Sequence, residues 1–317
     1  MSEKITKQQC NFTSSDGKNT IVGYFYEDPA VEPKAVVQIS HGMCEYIGRY
    51  DDFAGYLCRN GYAVCGNDHL GHGATSDGEA GVDGYFGEKD GHEYVLRDLR
   101  TMNERAHKRF PHLPVILLGH SMGSFFARAY AARWPGTIDG LIISGTGGPN
   151  PLGGIGLLLT NLIGAVRGKQ YRSALVNNMA FGTYLKRIEA PATAYDWITR
   201  DKDIVSAYAA NPKCTFVFTV GGFHELMTIL KKVSGRDWAE KLDKNKPVLV
   251  ISGEMDPVGE YGAGVQKVYG WLQEAGIQDL TLHLYPGARH EVLNETNRAD
   301  VYADVLAWLE KTWGRKS

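Results

Sequence analysis

Long apolar runs are missing from this sequence. In its 317 residues no window reaches the roughly eighteen apolar residues of a membrane span, and Ile155 to Val166, the nearest approach, is too short. The opening Met1-Ser2-Glu3-Lys4-Ile5-Thr6-Lys7 lacks the apolar centre of a signal peptide. Excess charge is missing too: the net charge is −2 and no stretch is densely basic, which excludes the electrostatic footprint of a nucleic-acid binder. Cysteine is sparse. Cys10, Cys44, Cys58, Cys65 and Cys214 are odd in number, scattered and never spaced C-x-x-C, which argues against a disulfide framework and a zinc ribbon and for a reducing compartment. Neither G-x-G-x-x-G nor a Walker lysine loop occurs, and there is no internal repeat or low-complexity tract. The expectation is a soluble, cytoplasmic protein.

Glycine, by contrast, is plentiful. Its 38 residues exceed the usual share of about 7%, which fits many tight strand-to-helix turns. Apolar runs of strand character fall at 19–26, 34–40, 62–65, 115–118, 138–144, 247–251 and 280–285. Helical patterns fall between them at 51–59, 92–109, 264–274 and 298–312. Alternation of this kind, with strands rich in Val, Ile and Leu, predicts a mostly parallel sheet covered by helices on both faces.

The rhythm lapses between 146 and 213, where no strand pattern is clear. Within it Ile155, Leu158, Leu159, Leu162, Ile163 and Val166 recur at helical spacing, with Gly156, Thr160, Asn161 and Gly164 opposite. Asn150-Pro151 and Arg167-Gly168 give that helix its ends. The segment 146–213 is expected to be a helical cap inserted into a core made of 1–145 and 214–317. The apolar face of its first helix is expected to pack on the core or to line a tunnel, with docking on a membrane surface a third use.

Gly119-His120-Ser121-Met122-Gly123 sits between the strand pattern ending at Leu118 and the helical Ser124 to Arg133. A G-x-S-x-G squeezed there forms a nucleophile elbow, a tight turn that lifts the serine hydroxyl above the sheet edge. Serine at neutral pH needs a base, and the base needs an orienting acid. Asp256 and His290 follow in the order this elbow requires, each just past its own strand pattern. Loops after parallel strands share one sheet edge, so Ser121, Asp256 and His290 are expected to meet. Glu254 is the rival acid. His283 is the rival base, but it alternates within a strand and reads as a packing residue. Oxyanion donors are expected from the backbone N–H groups of Met122, at a helix start, and Met43, in the loop His41-Gly42-Met43. Cys44, next to that donor, reads as a small buried filler.

Asp68-His69-Leu70-Gly71-His72-Gly73 places two histidines near a carboxylate, but its spacing matches no zinc motif. His290-Glu291 opens like H-E-x-x-H, but Asn294 stands where the second histidine would. No metal and no cofactor is expected.

His41-Gly42-Met43-Cys44-Glu45-Tyr46 with Arg49-Tyr50, the Asp68 to Gly73 loop, the Gly119 to Gly123 elbow, Asp256, His290 and Asp196-Trp197-Ile198-Thr199-Arg200-Asp201 together resemble the monoacylglycerol lipase and lysophospholipase branch of the α/β-hydrolase superfamily. The likeness covers nearly the whole core. It implies an α/β-hydrolase fold, with an eight-stranded sheet and a cap over the active site. It implies a serine carboxylester hydrolase acting on monoacylglycerols, lysophospholipids or other single-chain esters, a small-molecule or lipid substrate, and no cofactor. The triad carries over to Ser121, Asp256 and His290, and the oxyanion amides to Met43 and Met122. Two positions depart from the branch: Met43, where a small residue is usual, and Tyr46, where histidine is common. An enzymatic alternative with the same triad is a proline-iminopeptidase-type peptidase or amidase; a non-enzymatic one is a ligand-binding protein on the hydrolase scaffold.

Overall fold

A computed structural model describes residues 5–149 and 153–314. Asn150 and Pro151, read as the start of the first cap helix, lie outside the described residues, as do Met1 to Lys4. The elements run in chain order as β1 (Thr6–Thr13), β2 (Thr20–Glu27), β3 (Ala35–Ser40), α1 (Asp51–Arg59), β4 (Tyr62–Asn67), α2 (Gly91–Arg109), β5 (Val115–His120), α3 (Met122–Arg133) and β6 (Gly140–Ser144). There follow α4 (Gly153–Arg167), α5 (Ala174–Phe181), α6 (Lys202–Ala210), α7 (Pro212–Thr215), α8 (Val220–Lys232) and α9 (Asp237–Glu240). The chain then returns to the sheet through β7 (Val248–Gly253), α10 (Ala263–Glu274), β8 (Leu280–Tyr285) and α11 (Arg298–Trp313).

The eight strands form one sheet in the order β1-β2-β4-β3-β5-β6-β7-β8. From β4 to β8 every pairing is parallel, while β1 and β2 join antiparallel. β3 to β7 are buried along their whole length, because helices cover both faces. Two apolar layers result. Leu117, Phe126 and Val250 belong to one, and Val37, Leu118 and Ile251 to the other. β1 carries no strand signal in the sequence: Lys7, Gln8, Gln9 and Asn11 are polar, and as an antiparallel edge strand it buries only Phe12.

α4 departs from expectation. Gly156 and Thr160 are its buried residues; Gly156 lies against Met227 of α8, and Thr160 Oγ1 meets His224 Nδ1 at 3.2 Å. Ile155, Leu158, Leu162 and Val166 point outward instead, Leu158 at 61% and Val166 at 83% exposure. Only Leu159 and Ile163 of the apolar set pack on the core. Small residues let α4 lie close on α8, and that contact decides which face turns inward. The apolar stripe therefore does not line a tunnel.

Candidate active site

β5 runs into α3 with a single residue between them. That residue, Ser121, sits at φ 52°, a left-handed conformation uncommon for a side-chain-bearing residue. Two close approaches explain the flanking glycines: a Cβ on Gly123 would collide with the Ser40 carbonyl, and one on Gly119 with the Gly123 carbonyl. The turn is tied down by Ser121 N–H donating to the Ser144 carbonyl at 2.9 Å.

Asp256 follows β7 and is fully buried. Its Oδ1 accepts from the Val258 N–H at 2.8 Å, and its Oδ2 accepts from His290 Nδ1 at 2.9 Å. This pairing leaves His290 Nε2, on the pocket side, as the unprotonated nitrogen of the neutral ring. Burial disfavours the imidazolium, but the charge of Asp256 and its hydrogen bond outweigh burial and hold the His290 pKa above the ordinary imidazole value. The Trp197 ring packs at a tilt against His290 at 5.0 Å between centroids, and the His120 ring does so at 4.7 Å. The backbone of 197–198 also accepts the N–H groups of His290 and Glu291. Ser121 and His290 line the same pocket, and no hydrogen bond joins them in this state. Glu254, the rival acid, is exposed and accepts from Gly287 N–H, and His283 stands on β8 beside Asp304.

The expected oxyanion donors flank Ser121. Gly42 lies so close that a Cβ there would sit 3.1 Å from that of Ser121. Among the described residues neither Met43 N–H nor Met122 N–H has a protein acceptor. Met122 also opens α3, whose dipole favours negative charge. The arrangement is suited to a serine nucleophile, a base and an anion developing at one point.

A buried ion ring beside the site is absent from the sequence reading. Arg49 holds Glu291 through two bonds of 2.6 and 2.7 Å and Glu45 through one of 3.2 Å. Glu45 Oε1 accepts from the Gly42 N–H and from the Tyr50 hydroxyl. Burial pushes the Glu45 carboxyl up to about 7 against the lowering pull of Arg49. For Glu291 burial acts the same way, but Arg49 prevails and holds it low. The ring thus links the loop of Met43, the expected oxyanion donor, to the loop of His290, the candidate base. Its sequence signal is the Glu45-x-x-x-Arg49 spacing and the carboxylate directly after His290.

The pocket encloses about 490 Å³. Phe125 of α3 and Phe223, Leu226, Met227 and Leu230 of α8 give it an apolar lining, and Tyr184, Tyr195, Tyr208 and Glu45 are among its polar lining residues. From α4 it takes only Gly153. In the Asp68 loop, Asp68 itself ties the backbone, accepting from the N–H groups of Ile47 and Ala74.

The profile of the serine aminopeptidase S33 family matches residues 31–297. The chain belongs to that family. Among its S33 relatives, the monoacylglycerol lipase of Mycolicibacterium smegmatis is 29% identical over 308 residues, spanning 96% of this chain and 97% of its own. The human monoglyceride lipase is 28% identical, with 95% and 90% covered. A thermostable carboxyl esterase from Bacillus coagulans, solved in complex with glycerol, superposes with a TM-score of 0.90 at 31% identity, over 97% of this chain and 99% of that one. This S33 member is accordingly an α/β-hydrolase of the monoacylglycerol-lipase-like kind, a serine ester hydrolase that acts on carboxylic esters.

Proposed function

We propose that the protein hydrolyses single-acyl-chain esters, monoacylglycerols or lysophospholipids, through an acyl-enzyme on Ser121. The carrying observation is the buried 2.9 Å pair of Asp256 and His290 opening on the same pocket as Ser121. Ser121 Oγ attacks the ester carbonyl while His290 Nε2 takes its proton, and Asp256 fixes the imidazole tautomer. The N–H groups of Met43 and Met122 receive the oxyanion. His290 returns the proton to the leaving alkoxide, and water hydrolyses the acyl-enzyme by the same route. The apolar lining from α3 and α8 suits one acyl chain, and the tyrosine hydroxyls in the lining suit a polar head group.

Residues 146–213 act as the cap. Its outward stripe of Ile155, Leu158, Leu162 and Val166, continued by Leu175 and Met179, rests on lipid at a membrane surface. Among the described residues no helix is long and apolar enough to cross a membrane, so the contact is peripheral. Five free thiols support a cytoplasmic setting.

A peptidase of this family would need a carboxylate for the substrate amine. Arg49 occupies both Glu45 and Glu291, leaving Glu260 at the rim as the remaining acidic wall residue among those described. Side-by-side assays of monoacylglycerol, lysophospholipid and an aminoacyl amide test the proposal, with Ser121→Ala as control. Ester turnover and fluorophosphonate labelling lost in Ser121→Ala support it. Preferred cleavage of the amide, or turnover retained by a folded Ser121→Ala, overturns it.

A further inference from the structure

His41 is buried without exposure one residue before Gly42 and touches no part of the Asp256–His290 pair. Its Nε2 accepts the backbone N–H of His69 at 2.9 Å. A backbone N–H can only donate, so Nε2 carries no proton and the neutral ring carries it on Nδ1. Nδ1 lies 2.8 Å from the Gly42 carbonyl and therefore donates to it. The His69 ring packs at a tilt against His41, 4.1 Å between centroids, and is itself anchored, Nε2 to Ser40 Oγ at 3.1 Å. Burial, then the neighbouring His69 and His72, keeps the His41 pKa well below the usual imidazole value, so the bond persists at neutral and mildly acid pH.

In a trans peptide the carbonyl and the following N–H point in opposite directions, and no described peptide here is cis. Glycine at 42 gives the Gly42–Met43 peptide little resistance to flipping. A ring that holds the Gly42 carbonyl toward the core turns the Met43 N–H toward the pocket. We propose that His41 is a positioning residue for the oxyanion hole, its tautomer fixed by His69 N–H, so that the Asp68 to Gly73 loop serves the reaction as a tautomer lock. This rests on the oxyanion role given above to Met43. The histidine does not touch substrate; it acts through a peptide plane.

The test separates hydrogen-bond geometry from bulk. In His41→Asn the amide nitrogen overlies Nδ1 and can still reach the Gly42 carbonyl, whereas in His41→Phe nothing can. Losing one oxyanion donor lowers kcat by about 10²–10³-fold, so His41→Phe should lose at least tenfold in kcat with KM little changed. His41→Asn should stay within about threefold of the parent on the same scale. Binding of a trifluoromethyl ketone, which forms the tetrahedral adduct, should weaken in step with kcat/KM, while binding of a non-hydrolysable ether analogue should not. Should His41→Phe fail to fold, His41→Gln, whose amide overlies Nε2, takes its place. Equal activity in the Asn and Phe (or Gln) variants, or equal weakening of ketone and ether, overturns the proposal. An inactive parent enzyme, by contrast, overturns the ester-hydrolase reading itself.

Discussion

The strand-end loops and the cap are built on opposite terms. Ser121, Asp256 and His290 each stand at the end of a strand whose position is set by a parallel ladder, between layers with almost no exposed apolar surface. The proposed cap places α4 on α8 of the neighbouring segment, and it shows Ile155, Leu158, Leu162 and Val166 to solvent. Ladder register leaves little freedom, whereas helix packing leaves the choice of face open. On the reading proposed above, the ladder-set region carries the reaction and the helix-packed one governs substrate access.

Breaking the rigid side should have the largest effect. Asp256→Asn keeps the shape of the site but reverses the hydrogen-bond preference at His290 Nδ1 and favours the wrong tautomer. A loss of about 10⁴-fold in kcat is expected, with the melting temperature nearly kept. A loss under tenfold would mean that another group orients the base.

The ion ring comes next. Arg49→Met leaves Glu45 and Glu291 buried without their cation, which costs about 3–5 kcal/mol and should appear as a fall in melting temperature at pH 7. Without Arg49 both carboxyls sit above their unfolded pKa. The deficit is thus still growing at neutral pH, since Glu45 titrates near 7 even beside Arg49, and it shrinks as pH falls toward the ordinary carboxyl range of about 4 to 5. A deficit independent of pH would assign the loss to packing alone.

A pH profile sharpens the same contrast at smaller scale. Burial pushes His69 and His120 to about 3, His72 to about 4, and His41 well below 6.5. His290 alone of this group is raised, so a single protonation should switch off the base. kcat/KM should fall about tenfold per unit below a midpoint above the ordinary 6.5. Glu45, near 7, titrates in the same window; Glu45→Gln should keep the limb, and its disappearance there would assign the limb to Glu45.

The sequence discloses these two regions unequally. Val115 to Leu118 and Val248 to Ile251 are legible because a buried parallel strand must be apolar throughout, and the loops that follow carry the chemistry. β1 is not legible because an edge strand with a solvated face needs no apolar alternation. Glu45 and Arg49 escape because their value lies in a partner, Glu291, far along the chain. In α4 the apolar face reads as the interior, and only Met227 and His224 of the opposing helix show that the small face turns inward instead.

The adaptable side gives the smallest effect on the folded protein and the most selective one on access. Leu158 and Leu162 stand one helical turn apart on the exposed stripe and touch little of the core. Replacing both with serine removes apolar surface that folding does not bury, so stability should change by under about 0.5 kcal/mol. Turnover of a water-soluble short-chain ester should also be unchanged, since α4 lends the pocket only Gly153. Flotation with phosphatidylcholine vesicles is where the variant should differ, with bound protein and vesicle-borne monoacylglycerol turnover falling together, severalfold. If the double variant instead loses its short-ester activity, the stripe is part of the catalytic architecture and the division between rigid core and adaptable cap fails. If it binds vesicles as well as the parent does, lipid contact lies elsewhere on the molecule.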